Sequence, residues 1–168
     1  MRTAVIRKDI RAFRVAPNPA MDWDTARKRL DGLPGGVLNI AHEAVDRHAA
    51  GPRAGHVAIR WLAAAGGARD ITYAELAGLS NQFANLFRGL GVAKGDVIAV
   101  LCGRIPELYA AVLGGLKCGA VVSPLFSAFG PEPLKTRINL GSAKVLVTTE
   151  ALFERKVQKV LGDMPTLR

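Results

Sequence analysis

Residues 70–129 read DITYAELAGLSNQFANLFRGLGVAKGDVIAVLCGRIPELYAAVLGGLKCGAVVSPLFSAF, and the order of patterns in them decides the fold. Thr72-Tyr73-Ala74-Glu75 is a capping-box sequence, in which a Thr hydroxyl and a Glu carboxylate satisfy the free N–H groups at a helix start. Leu76, Leu79, Phe83, Leu86, Phe87 and Leu90 then recur at helical spacing. Gly89-Leu90-Gly91 closes that helix, and Lys94-Gly95-Asp96 makes a tight turn. Val97–Cys102 is an unbroken apolar run, as expected of a strand buried on both faces in a parallel sheet. Pro106 suits the first turn of a helix over Glu107–Cys118. Gly119 ends it, and Ala120–Ser123 is the next strand. Helix, strand, helix and strand in this order predict a parallel α/β sheet with right-handed crossovers.

The same grammar extends in both directions. Downstream, Pro131–Leu140 reads as a helix, Lys144–Thr148 as a strand and Glu150–Leu161 as a helix. Upstream, Val57–Leu62 alternates as a strand, AGGAR turns the chain, and Ile71-Thr72-Tyr73 is the tail of a second short strand. Asn39–Ala50 predicts a helix with Asn39 as N-cap and Ile40, Ala41, Ala44, Val45 and Ala49 as its apolar face. Met21–Leu30 predicts a short helix, with Asp22 or Asp24 at its N-terminus and Arg27, Lys28 and Arg29 near its end, an order that suits the helix dipole. Residues 1–20 read as extended. The expected organisation is a lead-in over 1–36 and an incomplete α/β domain over 37–168.

Composition narrows the function classes. Apolar residues make up 49% of the 168 and aromatics only 6%, so the core is expected to consist of Ala, Val, Leu and Ile. The net charge of +9 falls on the two ends; such a surface attracts phosphates of any kind, and the alternative is an ordinary basic surface with no such partner. The basic N-terminal stretch carries only Phe13 and Trp23 as aromatics, which disfavours a nucleic-acid module. Its apolar runs are too short for a secretory signal, and Ala110–Val122, the most apolar stretch, is interrupted by Gly114, Gly115, Lys117 and Gly119, so no membrane span is expected. Cys102 and Cys118 lack CxxC spacing and read as small core residues, which suits the cytoplasm. There is no GxxxxGK[ST], GxGxxG or GxSxG motif. His42-Glu43 is followed by His48 at the wrong spacing for a zinc helix, and Glu43 and Asp46 read as solvated helix charges.

Four stretches carry a family resemblance. GGVLNIAHEAVDRH places an Asn at the start of a helix that ends in Asp-Arg-His. DITYAELAGLSNQFANLFRGLGVAKGDVIAV follows the pattern TY-x-EL, N-x-x-A, GV-x-KGD. IPELYAAVLGGLKCGAVVSPLFSAFGPEPLKTRI follows PE, A-x-LG-x-x-x-x-GAV, F and RI. AKVLVTTEAL supplies the next strand and turn. In this order and at these separations they resemble the N-terminal part of the AMP-forming acetyl-CoA synthetases and their acyl-CoA synthetase relatives, within the adenylate-forming superfamily. The resemblance covers about residues 36–155.

The resemblance implies a partial layered α/β domain from an enzyme that joins a carboxylate to CoA. In that reaction the carboxylate attacks ATP, giving an acyl-adenylate and pyrophosphate, and the CoA thiol then displaces AMP. ATP with Mg and CoA are the cofactors implied. The Ser/Thr/Gly-rich phosphate loop with its lysine, the YGxTE-like motif, the ribose-binding Asp and the late catalytic Lys do not occur in these 168 residues. No catalytic residue is therefore assigned, and the chain is expected to be inactive without a synthetase's C-terminal part as partner.

The resemblance also implies that the nucleotide end of CoA lies against the loop Phe126–Phe129 and a basic pair beyond the strand Lys144–Thr148. The candidate CoA contacts are Phe126, Ala128, Phe129, Arg155 and Lys156, with Ala128 standing where acetyl-CoA synthetases favour Gly. The alternative for Arg155 and Lys156 is a solvated helix surface, and Arg137 is expected to anchor the Pro131–Leu140 helix. A stand-alone CoA- or nucleotide-binding or regulatory module and a decayed gene product remain alternative readings of the whole chain. A sheet of three or four strands leaves an open edge and an uncovered apolar face, so low stability or self-association is expected.

Overall fold

The computed structural model describes residues 22–168, so the extended segment expected over residues 1–20 lies outside the described residues. Within the unit that ends at Asp31, a short helix α1, Trp23–Arg27, is capped by Asp22, whose carboxylate accepts from the Thr25 N–H at 2.6 Å.

The unit from Gly32 onward is built on β3, Val97–Leu101, which runs parallel between β4, Val121–Pro124, and β5, Val145–Thr148. Ile98 lies opposite Val122 on one side and Val145 on the other. Side chains alternate across a strand, so β3 feeds two cores. Ala99 and Leu101 pack with Leu134 and Ile138 of α5, Pro131–Leu140, and with Leu152, Val157 and Val160. Ile98 and Val100 pack with Phe87 of α3, Tyr73–Gly89, and Ala111 of α4, Pro106–Lys117. Helices thus cover both faces of a parallel sheet, as the unbroken apolar run Val97–Leu101 requires.

A separate antiparallel hairpin pairs β1, Val57–Leu62, with β2, Ala68–Thr72. Tyr73 opens α3 rather than closing the strand, because Thr72 is already its N-cap. The Thr72 N–H donates to Glu75 Oε2 at 2.8 Å, and the Glu75 N–H donates to Thr72 Oγ1 at 3.2 Å. The buried face of α3 is Leu76, Ser80, Ala84 and Phe87, while Leu86 is 54% exposed. Small residues therefore occupy the centre of the contact, where large ones were expected.

Gly114 explains that choice. A Cβ on it would lie 2.6 Å from Phe83 Cβ and 2.9 Å from both Ala84 N and Ser80 O. The next residue, Gly115, faces the sheet, where a Cβ would lie 2.7 Å from Val122 Cγ2. Helix α4 is wedged between α3 and the sheet, with glycine on both sides.

Two helices depart from regular winding. Asn39 caps the first as expected, accepting from the Ala41 N–H at 2.9 Å. Its next turn, His42–Asp46, is π-helical and runs into an α turn at Arg47–Ala49, together α2. A π turn widens the repeat. Ala41 and Val45 are buried, but Ile40 is 65% exposed and Ala44 is exposed, which corrects the expected apolar face. The last helix, α6, is likewise composite: an α turn Glu150–Leu152, a π turn Phe153–Val157 and a 3₁₀ stretch Gln158–Asp163.

The start of the sheet is held by a charged node. Lys144 Nζ donates to Asp96 Oδ2 at 2.7 Å and to the Gly91 carbonyl at 2.6 Å, tying the turn before β3 to the entry of β5. The Ala93 N–H foremost, and then the Lys144 ammonium, hold the Asp96 carboxyl below the usual carboxylate range, against an opposing push from burial.

Gly114→Ala should lower stability by about 1–3 kcal/mol, because backbone must move to admit the methyl group. Gly78→Ala, in open space on α3, should raise it by about 0.5–1 kcal/mol. Urea unfolding of the two variants reads both signs. The Asp96 node contributes stability above the ordinary aspartate pKa of about 3.9 and loses it as the pH falls through the lowered folded value. Asp96→Asn should therefore flatten the acid limb of a melting-temperature profile, and an unchanged limb would remove Asp96 from that role.

Candidate functional site

The chain leaves β4 at Pro124 on the carboxyl-end side of the parallel sheet. Leu125 is buried, and its N–H donates to the Val100 carbonyl at 2.8 Å, extending the pairing with β3 by one bond. The next residues turn outward. Phe126 is 66% exposed, and the Phe129 N–H closes the turn on the Phe126 carbonyl at 2.9 Å. The two rings meet edge to face at 5.8 Å. Gly130 then caps α5, with Pro131 in its first turn.

Two cations hold this turn in place. The Arg137 guanidinium carbon stands 4.1 Å from the centre of the Phe129 ring, a cation–π distance. Arg137 also donates to the Pro133 carbonyl at 3.2 Å, so it anchors the start of α5 as expected and grips the loop as well. Lys156 Nζ donates to the carbonyls of Ser127 at 2.5 Å and Phe129 at 2.8 Å. Phe126, Ala128, Phe129 and Lys156 are thus gathered at one place. Ala128 is exposed and keeps a negative φ, so its Cβ brings no backbone strain. Arg155 is exposed and makes no hydrogen bond or ion pair with the described residues.

The π turn explains how neighbouring residues in α6 take such different roles. In a regular helix Leu152 and Lys156 would share a face. The wider turn instead buries Val157 beside Leu152. It leaves Lys156 at the rim of the core, within reach of the loop carbonyls, and Arg155 outside. No sequence signal announces this, because Val157 also stands four residues after Phe153 and three before Val160, in ordinary helical phase.

A second polar cluster was not legible in the sequence. A cleft of about 430 Å³ is lined by Asn39, His42, Asp46, Asn81, Arg88 and Lys117, among others. On its floor Lys117, with only 9% of its side chain exposed, donates to Asp46 Oδ1 at 2.6 Å, to Asn81 Oδ1 at 2.7 Å and to the Ala77 carbonyl at 3.4 Å. Asn39 Nδ2 donates to the Leu116 carbonyl at 2.8 Å. These bonds join α2, α3 and α4. They correct the expectation that Asp46 is a solvated charge, as does Glu43, which accepts from the Gly32 N–H at 2.7 Å and from Arg47 at 2.5 Å. The ammonium is fully engaged by its acceptors, so the cleft floor is a structural joint. His48 stacks obliquely on Tyr73 at 5.1 Å.

Other chemistry is thinly represented. Among the described residues no three His, Cys, Asp or Glu side chains gather to hold a metal ion. Burial pushes the Cys102 thiol up, away from nucleophilic use, with Glu107 adding to the effect. No helix among the described residues is long and apolar enough to cross a membrane.

Residues 45–168 match the model of the AMP-binding enzyme family. The chain belongs to that family. It is 41% identical over 137 residues to the acetyl-coenzyme A synthetase of Bacillus subtilis, covering 80% of this chain and 23% of that protein. It is 37% identical over 121 residues to the 3-hydroxypropionyl-coenzyme A synthetase of Metallosphaera sedula, covering 72% of this chain and 18% of that protein. The crystal structure of the Brucella canis acyl-CoA synthetase superposes with a TM-score of 0.75 at 31% identity, covering 88% of this chain and 26% of that one. The chain therefore spans about a fifth of the length of the curated relatives it matches. The resemblance read from the four stretches and the parallel α/β fold both stand on these matches. They support an acyl-CoA ligase-like origin for this AMP-binding family member.

The Lys117–Asp46 joint is testable. Removing Asp46 leaves a nearly buried ammonium short of its carboxylate, so Asp46→Ala should cost about 1–3 kcal/mol. In a double-mutant cycle with Lys117→Met, the coupling should be about 1 kcal/mol or more. Additive losses in chemical denaturation would make the pair incidental.

Proposed function

We propose that this chain is the N-terminal scaffold of an AMP-forming acyl-CoA ligase of the acetyl or short-chain type, and that its loop from Leu125 to Gly130 walls the path of CoA. The observation that carries the reading is the family match over residues 45–168, together with 41% identity to an acetyl-coenzyme A synthetase. The reaction of the whole enzyme would join a carboxylate to CoA, with ATP split to AMP and pyrophosphate.

The residues fit CoA better than they fit ATP. In parallel α/β sheets ligands settle at the carboxyl ends of the strands, and the loop leaves β4 at that end. It offers an exposed aromatic ring, Phe126, beside Ala128 and Phe129. Arg155 supplies exposed positive charge from α6, which suits a ligand carrying several phosphate groups, while Lys156 ties the loop to that helix. For ATP and Mg the donor set is missing: the sequence has no glycine-rich phosphate loop, and the described residues gather no carboxylate cluster. These residues are assigned no step of adenylation, which depends on positioned charge at the reacting phosphate. The two free cysteines fit a reducing cytoplasm. The outer edges of β4 and β5 have no strand partner among the described residues, which favours self-association or pairing with the remainder of a synthetase.

The purified chain, given ATP, Mg, acetate and CoA, should release no pyrophosphate above background. It should regain activity when mixed with the segment of the Bacillus subtilis relative that follows the matched region. Turnover by the 168 residues alone would overturn the scaffold reading. Saturable CoA binding without any complementation would favour a stand-alone binding module.

A further inference from the structure

We infer that Lys156 serves CoA binding without touching CoA: it is a positioning residue that sets the loop, and the phosphate contact falls to Arg155. The inference rests on the proposed CoA wall for its ligand, but its structural half stands on geometry alone.

The two neighbouring cations face opposite demands. The Lys156 ammonium is committed to two backbone carbonyls, those of Ser127 and Phe129, at 2.5 and 2.8 Å. Both belong to the turn that Phe129 N–H closes on Phe126. The two carbonyls are partly buried and losing their shared donor carries a cost, so a phosphate that drew Lys156 away would have to compensate for opening the turn. Arg155 has no such commitment and stands in solvent. Arg137, the other cation at the loop, is engaged with the Phe129 ring and the Pro133 carbonyl.

The clamp has a directional effect on Phe126. Phe129 is held from one side by Arg137 and through its carbonyl by Lys156, while Leu125 is rooted in the core. Phe126 lies between these fixed points, exposed, with its ring edge-on to Phe129. A ring held in place before the ligand arrives needs no ordering on binding, and that saving appears as affinity.

Three measurements on the whole 168-residue chain test this. In competitive acetic anhydride labelling, Lys156 should react about ten-fold more slowly than the exposed Lys159, because its ammonium is engaged. In Lys156→Met, amide exchange at Phe129 should rise about ten-fold or more while β3 amides stay protected, and Lys156→Arg should recover part of that protection. In calorimetric CoA titrations across ionic strength, Lys156→Met should weaken binding yet keep the wild-type salt dependence. Arg155→Gln should lose most of that dependence, because screening acts on the charge that meets the phosphates.

Unchanged exchange in Lys156→Met, or labelling of Lys156 as fast as Lys159, would overturn the clamp. Loss of salt dependence in Lys156→Met to the same degree as in Arg155→Gln would make Lys156 a phosphate ligand and overturn the division of roles. If the wild-type chain fails to bind CoA, the CoA wall falls and the phosphate role of Arg155 falls with it. The labelling and exchange results then decide the clamp alone.

Discussion

The fold depends on the closeness with which α4 fits between α3 and the sheet. Two consecutive glycines make that fit possible from both sides. Gly114 admits the backbone of α3 around Ser80 and Ala84, and Gly115 admits Val122 of β4 and Ile98 of β3. Since α4 connects β3 to β4, its depth sets where β4 lies against β3. The position of β4 in turn sets where the loop at Phe126 begins. A methyl group at either glycine would be transmitted along this line, because close-packed interiors pass strain on rather than absorb it.

Seen this way, the residues that carry the family resemblance are chiefly packing residues. Asn81 accepts from the Lys117 ammonium, and Ala84, three positions on, lies against Gly114. Gly119 holds a φ of +71°, where a Cβ would approach Lys94 Cγ to 3.2 Å. These positions say how the scaffold closes and say little about chemistry. A function read from them alone is a statement about descent, whereas a site has to be argued from the loop and the cations around it.

The parts of the fold legible in the sequence are those governed by local rules. The Thr72–Glu75 capping box, the Pro106 and Pro131 helix starts, and the apolar run of β3 each involve residues within a few positions of one another. What escaped local reading depends on distant partners. Lys117 finds Asp46 and Asn81 across the fold, and Lys156 finds Ser127 and Phe129, so no periodicity announces either. The two π turns were hidden for another reason. They depart from the 3.6-residue repeat on which helix reading rests, whereas the exposed Ile40 and Ala44 merely flank the buried Ala41 and Val45, on a side that only tertiary packing selects. The candidate loop is legible only through the family resemblance, since the four residues of a turn carry no periodic signal.

The strand order β4–β3–β5 has a consequence for how the chain comes into being. β3 is made first, β4 joins one side soon after, and the other side waits for residues 145–148. At about 5–20 residues per second of synthesis, the growing chain spends roughly two to ten seconds with that second edge of β3 bare. Its most apolar strand, Val97–Leu101, is then an open template at the ribosome. Chaperones that recognise short aliphatic segments would have their clearest opportunity in that interval, before Lys144 closes onto Asp96 and β5 settles into place.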